Sequence, residues 1–292
     1  MPHHSFKTVD VFTAAPFQGN PVAVILDAAD LSTAQMQQIA NWTNLSETTF
    51  IVPTTMDGAD YHVRIFTPSA ELPFAGHPTI GTAHALLEAK MIEAKDGTLT
   101  QQCRVGLVTL KVTHAADGAR WISFDLPKPK FTALDKDQIE ELESILGTPL
   151  DPHNPPYVVD VGPRWVVAQL PTAQAVLDST PDMQQMKLQD TRDKQTGVVI
   201  FGGHGSGAQA QIEVRAFAPA HDIDEDPVCG SGNGCVAAYI RHTGQITKFG
   251  GTFLATQGAA VGRAGIIQHT ISESTIQIGG NAITCVDGTL TI

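Results

Sequence analysis

The chain is poor in cysteine. Its four cysteines, Cys103, Cys229, Cys235 and Cys285, form no C-x-x-C pair and are too sparse for a disulfide framework. They read as reduced thiols, and the expected location is cytoplasmic. Basic residues are scarce as well. Lys and Arg number 18 against 30 Asp and Glu, a formal net charge of −12. That balance argues against nucleic acid and anionic membrane as partners. No apolar run approaches the roughly 18–20 residues that span a bilayer, and no basic stretch leads into an N-terminal apolar one. No Walker loop is present, because no Gly-Lys-Ser/Thr follows a glycine-rich turn. No G-x-G-x-x-G turn follows a strand either. No nucleotide is therefore expected. His3 and His4 have metal-ligand chemistry, but they read better as a solvated N-terminus.

What is present is a globular composition, 42% hydrophobic and only 16% charged over 292 residues. That length accommodates two domains, each with its own core. "SFKTVDVFTAAPF" and "NPVAVIL" read as strands around the turn chemistry of "QGNP". "STAQMQQIANWTN" reads as a helix, with Ser32 and Gln35 forming a capping box. "TTFIV" and the alternating "YHVRIF" return to strand character, and a helix beginning near Pro78 follows. Further strands are expected near 105–113 and 120–126. "LPKPKF", residues 126–131, has the composition of a linker. "DKDQIEELESILG" is a helix stopped by Gly147.

The second half repeats this grammar. "VRIFTP" and "VRAFAP" match at Val63/Val214, Arg64/Arg215, Phe66/Phe217 and Pro68/Pro219, a constant offset of 151 residues. Each copy leads into a glycine-containing loop and an apolar helix, "AGHPTIGTAHALLEA" and then "CGSGNGCVAAYIRHTG". Chance similarity between two strands is the competing explanation. The ordered elements on both sides favour an internal duplication. Arg64 and Arg215 read as a structural pair across it.

The duplication predicts two similar α+β domains, each presenting a helix N-terminus to a shared cleft. A helix N-terminus exposes unpaired N–H groups and the positive end of the helix dipole. Glycine lets a ligand approach the backbone, and Pro78 suits the first helical position. Two such mouths, at Gly76 and at Gly230, Ser231 and Gly232, would cradle a carboxylate.

"GNPVAV", "NLSETTF", "RIFTPSAELPFAGHPTIGTA" and "DEDPVCGSGNG" together resemble the PhzF-like family. These are phenazine-biosynthesis-type isomerases of the diaminopimelate-epimerase-like fold. The motifs run in order from about residue 5 to about residue 240. The resemblance implies an α+β fold with two similar domains, each a curled mixed sheet wrapped around a central helix. It places the first domain at 1–128, with a returning strand at 281–292, and the second at 129–280. It also implies a homodimer, a small-molecule carboxylate substrate and no cofactor or metal.

Carried over by position, Glu47 of "NLSETTF" is the acid/base. His77 and Asp226 hold substrate and assist proton movement. Ser46, Gly76, Gly230 and Ser231 line the substrate pocket. The implied reaction moves a proton between carbons of a small cyclic, amino or hydroxy acid, and a single carboxylate reaching both carbons suffices for that. On residue type alone, Glu47 at a strand start could equally be a solvated or capping residue, and Asp226 could be an N-cap.

Cys229 departs from the pattern of related racemases, which carry a thiol at each mouth. The first mouth has Ala75, so a two-thiol mechanism is excluded. Cys229 then reads either as a small pocket-lining residue or as a base whose pKa the helix N-terminus lowers. The second reading makes the chain racemase- or dehydratase-like. A metabolite-binding protein without turnover is a third possibility, disfavoured by the joint presence of Glu47, His77 and Asp226. Cys103, Cys235 and Cys285 read as buried apolar positions.

Overall fold

Segments rich in β-branched residues become strands, and the two glycine-led apolar segments become fully enclosed helices. A computed structural model describes residues 2–115 and 118–292. Met1–Asp125 with Gly279–Ile292 form one compact unit, and Leu126–Ile278 form a second.

The first unit contains β1 (His3–Val11), β2 (Asn20–Ile25), α1 (Thr33–Thr43), β3 (Thr48–Val52), β4 (Tyr61–Phe66) and the short β5 (Glu71–Leu72). Then follow α2 (Gly76–Glu88), β6 (Thr98–Cys103), β7 (Gly106–His114) and β8 (Arg120–Asp125). Ser32 and Gln35 cap α1 reciprocally, as the sequence predicts.

The second unit contains β9 (Lys130–Ala133), α3 (Lys136–Leu146), β10 (Tyr157–Asp160), β11 (Arg164–Gln169), α4 (Ala173–Asp178) and α5 (Met183–Asp193). Next come β12 (Gly197–Gly203), β13 (Ile212–Ala218), β14 (Ile223–Asp226), α6 (Gly230–His242) and α7 (Ile246–Phe249). β15 (Thr252–Gln257) and β16 (Gly265–Ile271) follow, and β17 (Ile276–Gly280) crosses the boundary at Ile278. The last strand, β18 (Ala282–Thr291), pairs antiparallel with β1.

The duplication holds at the level of strand pairing. Antiparallel β1/β2 corresponds to antiparallel β10/β11. Parallel β2/β3 corresponds to parallel β11/β12. The β3/β4 and β4/β5 pairs correspond to β12/β13 and β13/β14, all antiparallel. Parallel β4/β6 corresponds to β13/β15, and antiparallel β6/β7 to β15/β16. Even the strand flanking β1, which is β18, has its counterpart in β9 beside β10. Chance similarity of two hexapeptides would not reproduce this order and sense.

In each unit the mixed sheet curls around one central helix. α2 buries ten of its 13 residues, and α6 likewise buries ten of 13. A helix apolar all round is stable only when enclosed on all sides. The repeated arginines are structural, as their sequence symmetry suggests. Arg64 makes a two-point contact with Glu71, at 2.9 and 2.8 Å, and lies 5.1 Å from the centre of the Phe66 ring. Arg215 does the same with Glu225, at 3.0 and 2.8 Å, and lies 5.0 Å from Phe217. Each pair staples the short outer strand to its neighbour.

Three sequence expectations need correction. "LPKPKF" is not wholly a linker, because Lys130 and Phe131 belong to β9 and pair with β10. His3 is exposed, but neither it nor His4 belongs to a loose tail. Both lie in β1, and His4 is buried with Nδ1 2.7 Å from the Asp27 carbonyl. Cys103 and Cys235 are buried as expected, but Cys285 is half-exposed on β18.

Candidate active site

Glu47 is the last residue before β3. Asn44 ends α1 in the left-handed conformation, which turns the chain back toward the sheet. The Thr43 and Thr48 hydroxyls, 2.9 Å apart, clamp the short connection that carries Ser46 and Glu47. The Thr82 hydroxyl of α2 donates to the Thr49 hydroxyl at 2.9 Å, which fixes the helix against the strand just beyond Glu47. Gln101 of β6 donates to the Thr79 hydroxyl at 3.0 Å and anchors the helix one turn earlier.

The central helix of the first unit, α2, starts at Gly76, two residues before Pro78. Pro78 is its third residue, still within the turn where a backbone N–H has no helical partner. Ala75 caps the helix without a side-chain hydrogen bond. Gly76 and His77 are both buried in this first turn, and His77 Nε2 lies 3.3 Å from Glu47 Oε2.

Burial pushes the His77 pKa down to about 3, so the imidazole is neutral at physiological pH. The Pro21 carbonyl accepts a hydrogen bond from the ring. Nε2 itself makes no hydrogen bond, so Nδ1 carries that proton and Nε2 turns a lone pair toward Glu47. A carboxylate and a lone pair repel at this distance. A carboxylic acid and a lone pair attract.

In the second unit, β14 ends at Asp226 and α6 begins at Gly230. Asp226 is not the N-cap of this helix. Cys229 is, and its Sγ accepts from the Gly232 N–H at 3.3 Å. Asp226 Oδ1 instead accepts from the Val228 N–H at 3.0 Å, and its carboxylate takes a hydrogen bond from the Cys229 thiol. Withdrawal from water raises the Asp226 pKa to about 6. Burial and the adjacent Asp226 charge push the Cys229 thiol well above its ordinary range. The expected lowering of that thiol by the helix N-terminus is overturned. Desolvation and a neighbouring carboxylate outweigh the dipole.

The Ser231 hydroxyl lies 3.6 Å from Cys229 Sγ and accepts from the Trp165 indole N–H at 3.0 Å. An indole N–H can only donate, so the hydroxyl hydrogen of Ser231 stays available for a ligand or for the thiol. Trp165 was not singled out in the sequence. Neither was Gln257, whose side chain bonds the backbone at both Asp226 and Cys229. Neither belongs to a motif, and their contacts are with residues 24 or more positions away.

The structure thus brings Glu47 beside Gly76 and His77 at one helix mouth, with Ser46 next to Glu47 in the same connection. It brings Asp226, Cys229, Gly230 and Ser231 to the other. The two mouths share a backbone plan and differ in chemistry. Both central helices have 13 residues, and Gly76 matches Gly230, an offset of 154 after a three-residue insertion. Ala75 therefore corresponds to Cys229, and His77 to Ser231. Strand register aligns Phe50 with Ile200 through their arginine partners Arg64 and Arg215, so Glu47 corresponds to Gly197.

Residues 9–288 match the family described as "Phenazine biosynthesis-like protein", PhzC-PhzF. The chain belongs to this family. Antisense-enhancing sequence 1 of Schizosaccharomyces pombe is 43% identical, and the match covers 99% of each chain. The trans-2,3-dihydro-3-hydroxyanthranilate isomerase of Pseudomonas fluorescens is 34% identical, over 99% of this chain and all of the relative. A crystal structure of the Bacillus anthracis phenazine biosynthesis protein of the PhzF family superposes with a TM-score of 0.86, covering all of both chains at 23% identity. That likeness shows the fold. This PhzC-PhzF member is an isomerase-type enzyme, as are its relatives that carry a reaction name. Among its described residues, no helix is long and apolar enough to cross a membrane.

Proposed function

We propose that the chain is a cofactor-independent isomerase that moves a proton between carbons of a small carboxylic acid, with Glu47 as the acid/base. The observation that carries this reading is the 3.3 Å approach of Glu47 Oε2 to the neutral, buried His77 ring at the mouth of α2. A shuttling carboxyl group must hold its proton between removal and return. A neutral imidazole with an inward lone pair gives that proton a resting partner.

The balance is simple. Glu47 takes a proton from one carbon, the C–H electron pair moves into the substrate's conjugated system, and a C–H bond forms at another carbon with the same proton. No oxidant or reductant is needed. In this proposal Ser46 and the Gly76 N–H are the ligand-binding groups of the α2 mouth, and the Gly230 N–H and the Ser231 hydroxyl are those of the α6 mouth. Asp226 holds a substrate amine. The substrate class comes from the relatives, whose name supplies a first candidate, trans-2,3-dihydro-3-hydroxyanthranilate. A homodimer and a cytoplasmic location belong to the same reading. The first rests on the family resemblance, and the second on four cysteines with free thiols.

The test is turnover of that compound in deuterated water, with label followed by NMR, for wild type and for Glu47→Gln. Gln keeps the shape and an acceptor oxygen but cannot carry the proton. The expected loss in kcat is about 10²–10⁴-fold with little change in affinity. Near wild-type turnover by Glu47→Gln would reduce Glu47 to a structural residue at a strand start. The thiol reading loses support from the raised pKa of Cys229.

A further inference from the structure

Beneath the second helix mouth lies a buried polar network that the proton-transfer reading does not use. Gln257 is the last residue of β15 and is almost wholly buried. Its Oε1 accepts from the Cys229 N–H at 3.1 Å, and its Nε2 donates to the Asp226 carbonyl at 2.8 Å. One side-chain amide thus spans residues 226–229 and satisfies a backbone group at each end. The amide is itself held, because Asn233 Nδ2 donates to Gln257 Oε1 at 2.7 Å and to the Cys229 carbonyl at 2.9 Å. His269 Nε2 meets Asn233 Oδ1 at 2.9 Å. Since Asn233 Oδ1 only accepts, His269 is the donor. That fixes the Asn233 amide, which in turn fixes the Gln257 amide.

Two glycines seat the same loop from below. A Cβ on Gly258, which has φ +101, would lie 2.6 Å from the Pro227 carbonyl oxygen. A Cβ on Gly265 would lie 2.4 Å from a Val228 methyl. The duplication shows that this clamp is not required by the fold. β6 and β15 match residue for residue at the 154 offset, and the position of Gln257 is held in the first unit by Cys103. The polar clamp accompanies the copy whose loop carries Asp226 and Cys229.

We infer that Gln257, locked by Asn233 and His269, is a positioning residue that holds the Asp226 carboxylate and the Cys229 thiol in place at the α6 mouth. This inference rests on the proposed role of that mouth in binding substrate. The clamp itself can be tested without any substrate.

The measurement is the alkylation rate of each cysteine by iodoacetamide in the full chain, read by peptide mass spectrometry. Gln257→Leu removes both bonds at similar volume. Gln257→Glu keeps an acceptor for the Cys229 N–H and loses the donor to Asp226, and it is decisive if the Leu variant does not fold. We expect Cys229 to react at least about tenfold faster in both variants, because Gln257→Leu loses both bonds and Gln257→Glu sets a buried carboxylate oxygen against the Asp226 carbonyl. Cys235, on the same helix and fully buried, should keep its rate. Equal acceleration at Cys235 would mean general loosening, and an unchanged Cys229 rate would mean no clamp; either result overturns the inference. In the turnover assay the variants should raise KM more than they lower kcat, because the mouth they loosen binds substrate. If wild type turns over no candidate substrate, the functional reading fails while the alkylation result still decides the clamp.

Discussion

Asp226 should make the protein less stable as pH rises. Its pKa is raised from 3.8 to about 6, chiefly because burial disfavours the carboxylate. Between those two values the folded chain keeps a proton that the unfolded chain has lost. The unfolding free energy therefore falls as pH rises through this window and levels off above about pH 6. The full shift, 6 − 3.8, is about two pKa units, or about 3 kcal/mol at 1.36 kcal/mol per unit. That is a ceiling, because the side chain is not wholly withdrawn from water. Asp226→Asn removes the titration but keeps the oxygen that accepts from the Val228 N–H. Any loss of packing is the same at every pH, so the change with pH isolates the proton. Integrating between about pH 5 and about pH 7.5 gives about 1.4 kcal/mol. Urea unfolding at those two pH values should show Asp226→Asn gaining about that much on wild type at the higher pH. A difference below about 0.4 kcal/mol, or one of opposite sign, would refute the claim that Asp226 is held in a desolvated, destabilising site.

The remaining predictions concern the thiol and the arginines. Cys229→Ala should keep more than about a tenth of wild-type kcat, because a buried thiol with a raised pKa is a poor base at neutral pH; a loss beyond about a thousandfold would restore the racemase-like reading. Arg215→Ala should cost about 3–5 kcal/mol in urea unfolding. It strands a Glu225 side chain only 8% exposed and also removes donors from the Val176 and Ser179 carbonyls. Arg64→Ala, whose pair is more exposed at 22% and 17%, should cost about 1–2 kcal/mol. Equal costs would show that burial does not set the difference.

Much of the fold was legible because it rests on local rules. The capping box at Ser32 and Gln35 and the glycine stop at Gly147 depend only on residues within a turn of one another. The repeat of "VRIFTP" in "VRAFAP" marked the two arginine-bearing strands, because both copies must bury the same face and staple the same short neighbour. β9 was missed because two prolines and two lysines in "LPKPKF" give linker composition, while its pairing with β10 is a contact with residues 24 or more positions away.

The sequence by itself determined the duplicated order of elements and the residue types at each helix mouth. Those follow from periodicity, turn chemistry and motif, which are properties of neighbouring residues. Only the tertiary structure decided protonation and orientation. That His77 is neutral, that the Cys229 thiol is raised rather than lowered, and that a glutamine on a distant strand bonds both ends of the loop from 226 to 229 all depend on which groups are buried together. Burial and non-local hydrogen bonds set the charge state of a group, and neither can be read from the residues beside it in the chain.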